Sequence, residues 1–258
     1  MPDTRVVAPL LPACRLMDAM ILAAGLGTRL RPLTDSIPKP LLPVGGVPLL
    51  ERIARRLVAA GADRLIINMH SHPDQIERFV AERDGFGAEV RLSLEPDAPF
   101  DTGGGLWHAR EHFRRDAPFF LHNGDILTDA ALGGLYEAHA RADALATLAV
   151  RPPRASRYLL FDDDGLLGFS PRGGGTDRTV RAVAGAVQRH DFAGIHVIEP
   201  RIFDLISERG TFSIIDAYLR LAQAGEHIRA HAVDGVWLDI GTPAGLSAAD
   251  HAARLMPV

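Results

Sequence analysis

Three groups of residues have the types and spacing to do chemistry. The first is a run of small residues, Leu22-Ala23-Ala24-Gly25-Leu26-Gly27-Thr28, closed by Arg29. Small side chains let a backbone approach a bound molecule closely, and successive N–H groups in such a loop can cradle phosphate oxygens. The Gly-x-Gly within it is neither a Walker loop nor the dinucleotide Gly-x-Gly-x-x-Gly pattern. Arg29 offers a forked cation suited to a pyrophosphate. The second group is Pro38-Lys39-Pro40. Of the 28 lysine and arginine residues only Lys39 is a lysine, and two prolines stiffen the segment that carries its point charge. The third group is a pair of carboxylates, Asp125 and Asp239, beyond the apolar runs Phe119-Phe120-Leu121-His122 and Val236-Trp237-Leu238. Carboxylates on distant strands can converge on one hard cation, and Mg²⁺ takes few of them, completing its shell with phosphate oxygens and water.

These groups need a scaffold that gathers them. Ala19 to Leu22 is a short apolar run entering the glycine loop, which reads as a buried strand. Residues 47–60 have helical apolar spacing and stop at Gly61. Strands are expected at 64–69, 89–94, 117–121 and 144–150, with helices at 74–82, 105–115 and 129–142 between them. Thr102 to Gly105 is expected to precede the helix at 105–115 as a loop. The alternation predicts an α/β fold: a single Rossmann-like domain with a mixed, mostly parallel sheet and helices on both faces. Right-handed crossovers then place the strand C-terminal ends along one edge, where ligands bind. Beyond residue 150 the pattern changes. A hairpin is expected around Asp162-Asp163-Asp164-Gly165, read as solvated. A strand follows at 192–198, then helices near 200–208 and 213–224, strands at 228–233 and 236–238, and a last helix at 243–254.

The net charge of −4 supplies no global field for nucleic acid or an anionic membrane. No apolar run approaches the roughly 20 residues of a membrane span. Cys14 is alone, which suits a reducing cytoplasm. Pro2, Pro9 and Pro12 interrupt the start of the chain, so residues 1–17 read as a flexible extension ahead of a domain spanning 18–258. The eleven histidines show no ligand spacing, although His70 and His72 follow a strand end. Trp107 is expected in a helix core and Trp237 beside Asp239.

Together with Pro43-Val44-Gly45, Thr102-Gly103-Gly104-Gly105, Asn123-Gly124-Asp125 and Trp237-Leu238-Asp239-Ile240-Gly241-Thr242-Pro243, the glycine loop resembles the signature of the sugar-1-phosphate nucleotidyltransferases. The motifs stand in the same order over nearly all of residues 18–250. The stretch from Glu95 through Pro99 and Asp101 to Gly105, and the compact length, are most similar to the bacterial N-acetylmuramate 1-phosphate uridylyltransferases within that family. The resemblance implies Mg²⁺-dependent transfer of a nucleotidyl group from a nucleoside triphosphate to a sugar 1-phosphate, by a monomer or homodimer. It implies Arg29, Lys39 and Asp125 as catalytic residues, and Asp125 and Asp239 as the metal ligands. Leu22, Ala23, Ala24, Gly25, Gly27, Thr28, Glu95, Thr102, Gly103 and Gly104 would contact the nucleotide, and Asn123 and Gly194 the sugar.

Two departures from the family pattern stand out. Phe169-Ser170-Pro171-Arg172 occupies the region of a Glu-Lys-Pro tripeptide whose lysine holds the sugar phosphate, leaving Arg172 as its substitute. Glu95 stands where many uridylyl and thymidylyl members carry glutamine, and a carboxylate there would accept from guanine N1–H and N2–H₂. The muramate enzymes carry glutamate here too, so the residue does not decide the base, and mannose-1-phosphate guanylyl transfer, which fits the same loops and Glu95, is the alternative chemistry. A catalytically silent nucleotide-sugar-binding subunit is the alternative of another class. Such a protein should lack a metal carboxylate or a loop cation, whereas Arg29, Lys39, Asp125 and Asp239 are all present.

Overall fold

The computed structural model describes residues 16–154, 158–171 and 175–256. Residues 1–15 of the expected extension, and Arg172, lie outside the described residues. Met17 is buried, and its backbone N–H donates to Asp63 at 2.6 Å.

The apolar run Asp18–Leu22 forms β1, and Pro43–Val44 and Val47–Pro48 form a small hairpin, β2 and β3. Helix α1 (Leu49–Ala59) leads to β4 (Arg64–Met69), α2 (Pro73–Glu82) and β5 (Glu89–Leu94). Next come α3 (Asp101–His108), β6 (Phe119–Asn123), β7 (Ile126–Thr128), α4 (Leu132–Arg141) and β8 (Ala146–Arg151). The second half contributes β9 (Tyr158–Asp162), β10 (Gly165–Ser170), β11 (Arg178–Thr179), β12 (Gln188–Ile198), α5 (Ile202–Leu205) and α6 (Ile214–Gln223). It ends with β13 (Ile228–Ala232), β14 (Trp237–Asp239) and α7 (Pro243–Ala253).

One ten-stranded sheet runs β11-β10-β9-β12-β6-β1-β4-β5, with β8 and β13 branching from β12. Within it only β10 and β12 run against the other strands. The expected mixed, mostly parallel sheet is therefore present. The period-2 alternation of side chains divides the core. Ala19 and Ile21 of β1 pack among α1, α2, α4 and α7, while Met20 packs among α3, α5 and α6. Because β6, β1, β4 and β5 are parallel neighbours, Asn123, Leu22, Met69 and Leu94 all end at the same edge.

Three expectations are corrected. Helix α3 begins at Asp101, four residues before the expected start, so Thr102 to Gly105 form its first turns instead of a preceding loop. Three glycines have poor helix propensity, but packing overrides it. A Cβ on Gly104 would collide with the Gly210 carbonyl, and one on Gly103 with the Phe212 ring. Asp162 is not solvated: its side chain is fully buried and clamped by both terminal nitrogens of Arg181. That guanidinium is the main cause holding the Asp162 carboxyl at about 2. Trp107 of α3 packs against the core only in part, its ring also covered by Arg110 and Arg209, whose guanidinium carbons sit 4.7 and 4.0 Å from it.

Gly104→Ala is expected to destabilise the fold by about 1–3 kcal/mol through overpacking. Gly133→Ala, in α4 with nothing within 4 Å of the added carbon, should stabilise it by roughly 0.5–1 kcal/mol. Urea unfolding of the two variants against the parent chain measures both.

Candidate functional site

The glycine loop leaves β1 at the ligand edge and turns at Gly27, whose φ of 63° is left-handed. Leu30 N–H and the Thr34 hydroxyl both donate to the Gly27 carbonyl, at 2.8 and 2.9 Å. A Cβ on Gly27 would press on Thr34 and on Lys39 Cβ, at 2.8 and 3.2 Å. The glycine thus lets the loop close over the base of the Lys39 side chain. Thr28 to Leu30 form a short 3₁₀ turn that carries Arg29, and Lys39 to Leu41 form another.

From its turn Lys39 reaches across 86 residues of sequence to Asp125, Nζ to Oδ2 at 2.7 Å, with its side chain only 10% exposed. Asp125 occupies the corner between β6 and β7. That corner fits beneath β1 only because Gly124 has no side chain: its N–H donates to the Leu22 carbonyl at 2.9 Å, where a Cβ would collide.

Asp239 arrives by a separate route. Strands β7 and β14 pair antiparallel with Asp239 opposite Ile126, and Ile240 N–H donates to the Asp125 carbonyl at 2.9 Å. This two-stranded ribbon makes neighbours of two carboxylates that are remote in sequence. Asp239 Oδ1 accepts from Gly241 N–H at 2.6 Å. A Cβ on Gly241 would lie 2.5 Å from Arg29 Nη2 and 2.8 Å from Asp239 Oδ1, so the Arg29 guanidinium and Asp239 share one small space. Two carboxylates with oxygen donors suit Mg²⁺, whose remaining positions would fall to phosphate oxygens and water. Among the described residues no group of three or more His, Cys, Asp or Glu side chains could hold a metal.

Three cavities meet here. One is bounded by Leu22, Ala23, Ala24, Gly25, Asn123 and Thr102, among others. A second carries Gly27, Thr28, Arg29 and Gly241, and shares Gly25, Lys39, Asp101 and Asp125 with the first. A third opens beyond Asn123 toward Arg151, Phe192 and Trp237. Among the described residues, the buried Asn123 Oδ1 has no hydrogen-bond partner.

Four of the residues expected to contact ligand are engaged in packing or hydrogen bonds within the protein. Gly103 and Gly104 are buried in packing, and their N–H groups donate to the Phe212 carbonyl at 3.0 and 3.2 Å. Glu95 lines the first cavity but has no exposed surface, and both its oxygens are engaged, by Asn68 Nδ2 and by Phe100 N–H, each at 2.7 Å. Gly194, at φ 77°, makes room for the Asn123 side chain, 2.8 Å from where its Cβ would be.

Sequence reasoning missed Asn68 and Asp101. Asn68 Oδ1 accepts from Ala23 N–H at 2.6 Å, linking the glycine loop through Glu95 to the segment before α3. Its signal was a lone amide at the end of an apolar strand. Asp101 lies on all three cavities with a left-handed φ of 61°. A His70 ring nitrogen lies 2.7 Å from the Glu95 carbonyl oxygen, and His72 stands at the N-cap position of α2 with no side-chain cap bond.

A family profile described as "Nucleotidyl transferase" matches residues 18–162, and the chain belongs to that family. It is 33% identical over 230 residues to an N-acetylmuramate α-1-phosphate uridylyltransferase of Neisseria meningitidis, a match covering 88% of this chain and 94% of that protein. It is 32% identical, over 88% of its length, to a mannose-1-phosphate guanyltransferase of Yarrowia lipolytica, of which it spans 61%. Among solved structures it is similar to a Bacillus anthracis protein assigned as a glucose-1-phosphate thymidylyltransferase. The TM-score there is 0.80 and the identity 19%, with 94% of this chain and 97% of that one covered.

Two neutral histidines support the floor of the site. Burial holds His122 down at about 4 and His196 at about 3, with His122 adding to the effect on His196. Between pH 6.5 and 4 the unfolded chain takes up protons that the native chain refuses, so stability is lost as pH falls through that window. The loss should approach about 1.4 kcal/mol per pH unit for each histidine. His196→Gln should flatten the pH dependence of urea stability there; an unchanged slope would refute this.

Proposed function

We propose that this chain joins a nucleoside triphosphate to a sugar 1-phosphate, releasing pyrophosphate and a nucleotide sugar. The observation that carries the reading is the convergence of Lys39, Asp125, Arg29 and Asp239 at the mouth of the glycine loop. An oxygen of the sugar phosphate attacks the α-phosphorus in line, and the bond to the β-phosphate bridging oxygen breaks. The nucleophile is already ionised at neutral pH, so no general base is needed and catalysis reduces to positioning and charge neutralisation.

In this reading Arg29 and Lys39 offset the charge of the triphosphate, and Ala23 to Thr28 seat it. Asp125 and Asp239 would hold Mg²⁺, which would supply charge neutralisation to the reacting phosphates. Asn123 orients the sugar through its unpaired amide oxygen. Asn68 and Glu95 position the loop from beneath.

UTP is the favoured nucleotide. Glu95 does not decide the base: each of its oxygens accepts one hydrogen bond, from Asn68 and from the Phe100 N–H, and keeps a further lone pair. The similarity to an N-acetylmuramate α-1-phosphate uridylyltransferase over nearly the whole of both chains supports N-acetylmuramate 1-phosphate as the sugar. A cytoplasmic location accords with the lone cysteine.

Pyrophosphate release measured across four triphosphates and a set of sugar 1-phosphates tests the reading. Turnover should be highest with UTP and N-acetylmuramate 1-phosphate. Preference for GTP with mannose 1-phosphate would overturn the substrate assignment. Lys39→Ala should lower the rate by about 10²–10³, the typical cost of losing a charge-stabilising contact; activity within a few-fold of the parent would remove Lys39 from the mechanism.

A further inference from the structure

The cavity beyond Asn123 holds a cation that the transfer reaction does not use. Arg151 ends β8, and its guanidinium carbon sits 4.8 Å from the centre of the Trp237 ring. That stack is its one recorded side-chain interaction among the described residues. Other arginines here are spent on protein carboxylates: Arg181 on Asp162, Arg220 on Glu208, and Arg114 on Asp18 and Asp63. Asp191 opposes Arg151 in the β8–β12 register, but one of its oxygens takes the Arg154 backbone N–H at 2.9 Å.

The platform beneath Arg151 is fixed, because the Trp237 indole N–H donates to the Ala193 carbonyl at 2.8 Å. A guanidinium held over an aromatic face leaves N–H groups available to receive a carboxylate. Trp237 stands two residues before Asp239 on β14, so the stack borders the reaction centre from the sugar side. Arg151 does not line the cavity that holds Arg29, Lys39 and Asp125, where the 1-phosphate must go. The remaining charged groups on the third cavity include Asp101, Asp216 and Arg154. Asp101 and Asp216 would repel an anion, which leaves the wall of Arg151 and Arg154, with Asp191 beside them on the same cavity, as its seat.

We propose that Arg151 is a specificity residue that reads a carboxylate carried on the sugar, such as an acidic ether on the ring, rather than the 1-phosphate. This rests on the sugar 1-phosphate reading above. N-acetylmuramate 1-phosphate and N-acetylglucosamine 1-phosphate differ only in that lactyl ether, so they isolate the interaction.

The test is the ratio of kcat/KM for the two sugars, measured with UTP for the parent chain, Arg151→Ala and Arg151→Lys. Arg151→Ala should lower the preference for the acidic sugar by about 10- to 100-fold, the size of a lost charge-assisted hydrogen bond. The loss should fall mainly in KM for that sugar, and Arg151→Lys should recover part of it. A ratio within two-fold of the parent would overturn the proposal, whether the variant is fully active or uniformly impaired. Equal losses for both sugars would assign Arg151 to the shared phosphate or to the fold. If the parent chain transfers to neither sugar, the transfer reading fails first and the inference falls with it.

Discussion

A single ion pair ties the two halves of this site together. Lys39 Nζ and Asp125 Oδ2 lie 2.7 Å apart, with the lysine side chain nearly withdrawn from water. Desolvating an ammonium is costly, and a partly buried pair recovers that cost only when both partners are held in place. Both are: Lys39 by its flanking prolines and by the closure of the loop at Gly27, Asp125 by the tight corner at Gly124. In the proposed reaction the ammonium exchanges one anion for another, the carboxylate for a phosphate, and Asp125 is released toward the metal. The glycine loop and the strand corner that carries Asp125 are thus coupled by this ion pair.

The second constraint is how closely backbones approach at the strand ends. Gly27, Gly124 and Gly241 each stand where a Cβ would strike a neighbour that matters to the site: Lys39, the Leu22 carbonyl, or Arg29 and Asp239. The β7–β14 ribbon adds a rigid link, since three paired residues fix Asp239 against the Asp125 corner. Beneath them the chain Ala23–Asn68–Glu95–Phe100 ties the ends of β1, β4 and β5 to the start of α3. Catalysis by positioning needs this kind of support, because the ligand-facing groups can be no more precise than their scaffold.

Much of the fold was legible in the sequence because its signals are strong and local. Long apolar runs alternating with helical spacing gave β1, α1, β4, α2 and β5 within a residue or two. The start of α3 was not legible, because three glycines argue against a helix and only their packing on Phe212 and Gly210 reverses that preference. The β7–β14 ribbon was only half visible, since strands of three residues are too short to show a period. Arg29, Lys39, Asp125 and Asp239 were legible as residue types in an ordered pattern, whereas their convergence required the ribbon. Glu95 was legible as a candidate for the cavity wall, but a sequence does not display the hydrogen bonds that tie its oxygens to Asn68 and Phe100. Arg151 carried no signal at all; its meaning comes from the face of Trp237.

The claim on which the rest stands is that Asp125 and Asp239 hold one divalent ion at the junction of the nucleotide and sugar cavities. Anomalous diffraction from a crystal of the chain with Mn²⁺ and the nucleotide-sugar product locates that ion directly. The expected result is one strong peak at roughly 2.2 Å from a carboxylate oxygen of each aspartate, with its other positions filled by phosphate oxygens and water. A peak that touches neither aspartate, or one bound by Asp125 while Asp239 points elsewhere, would contradict it.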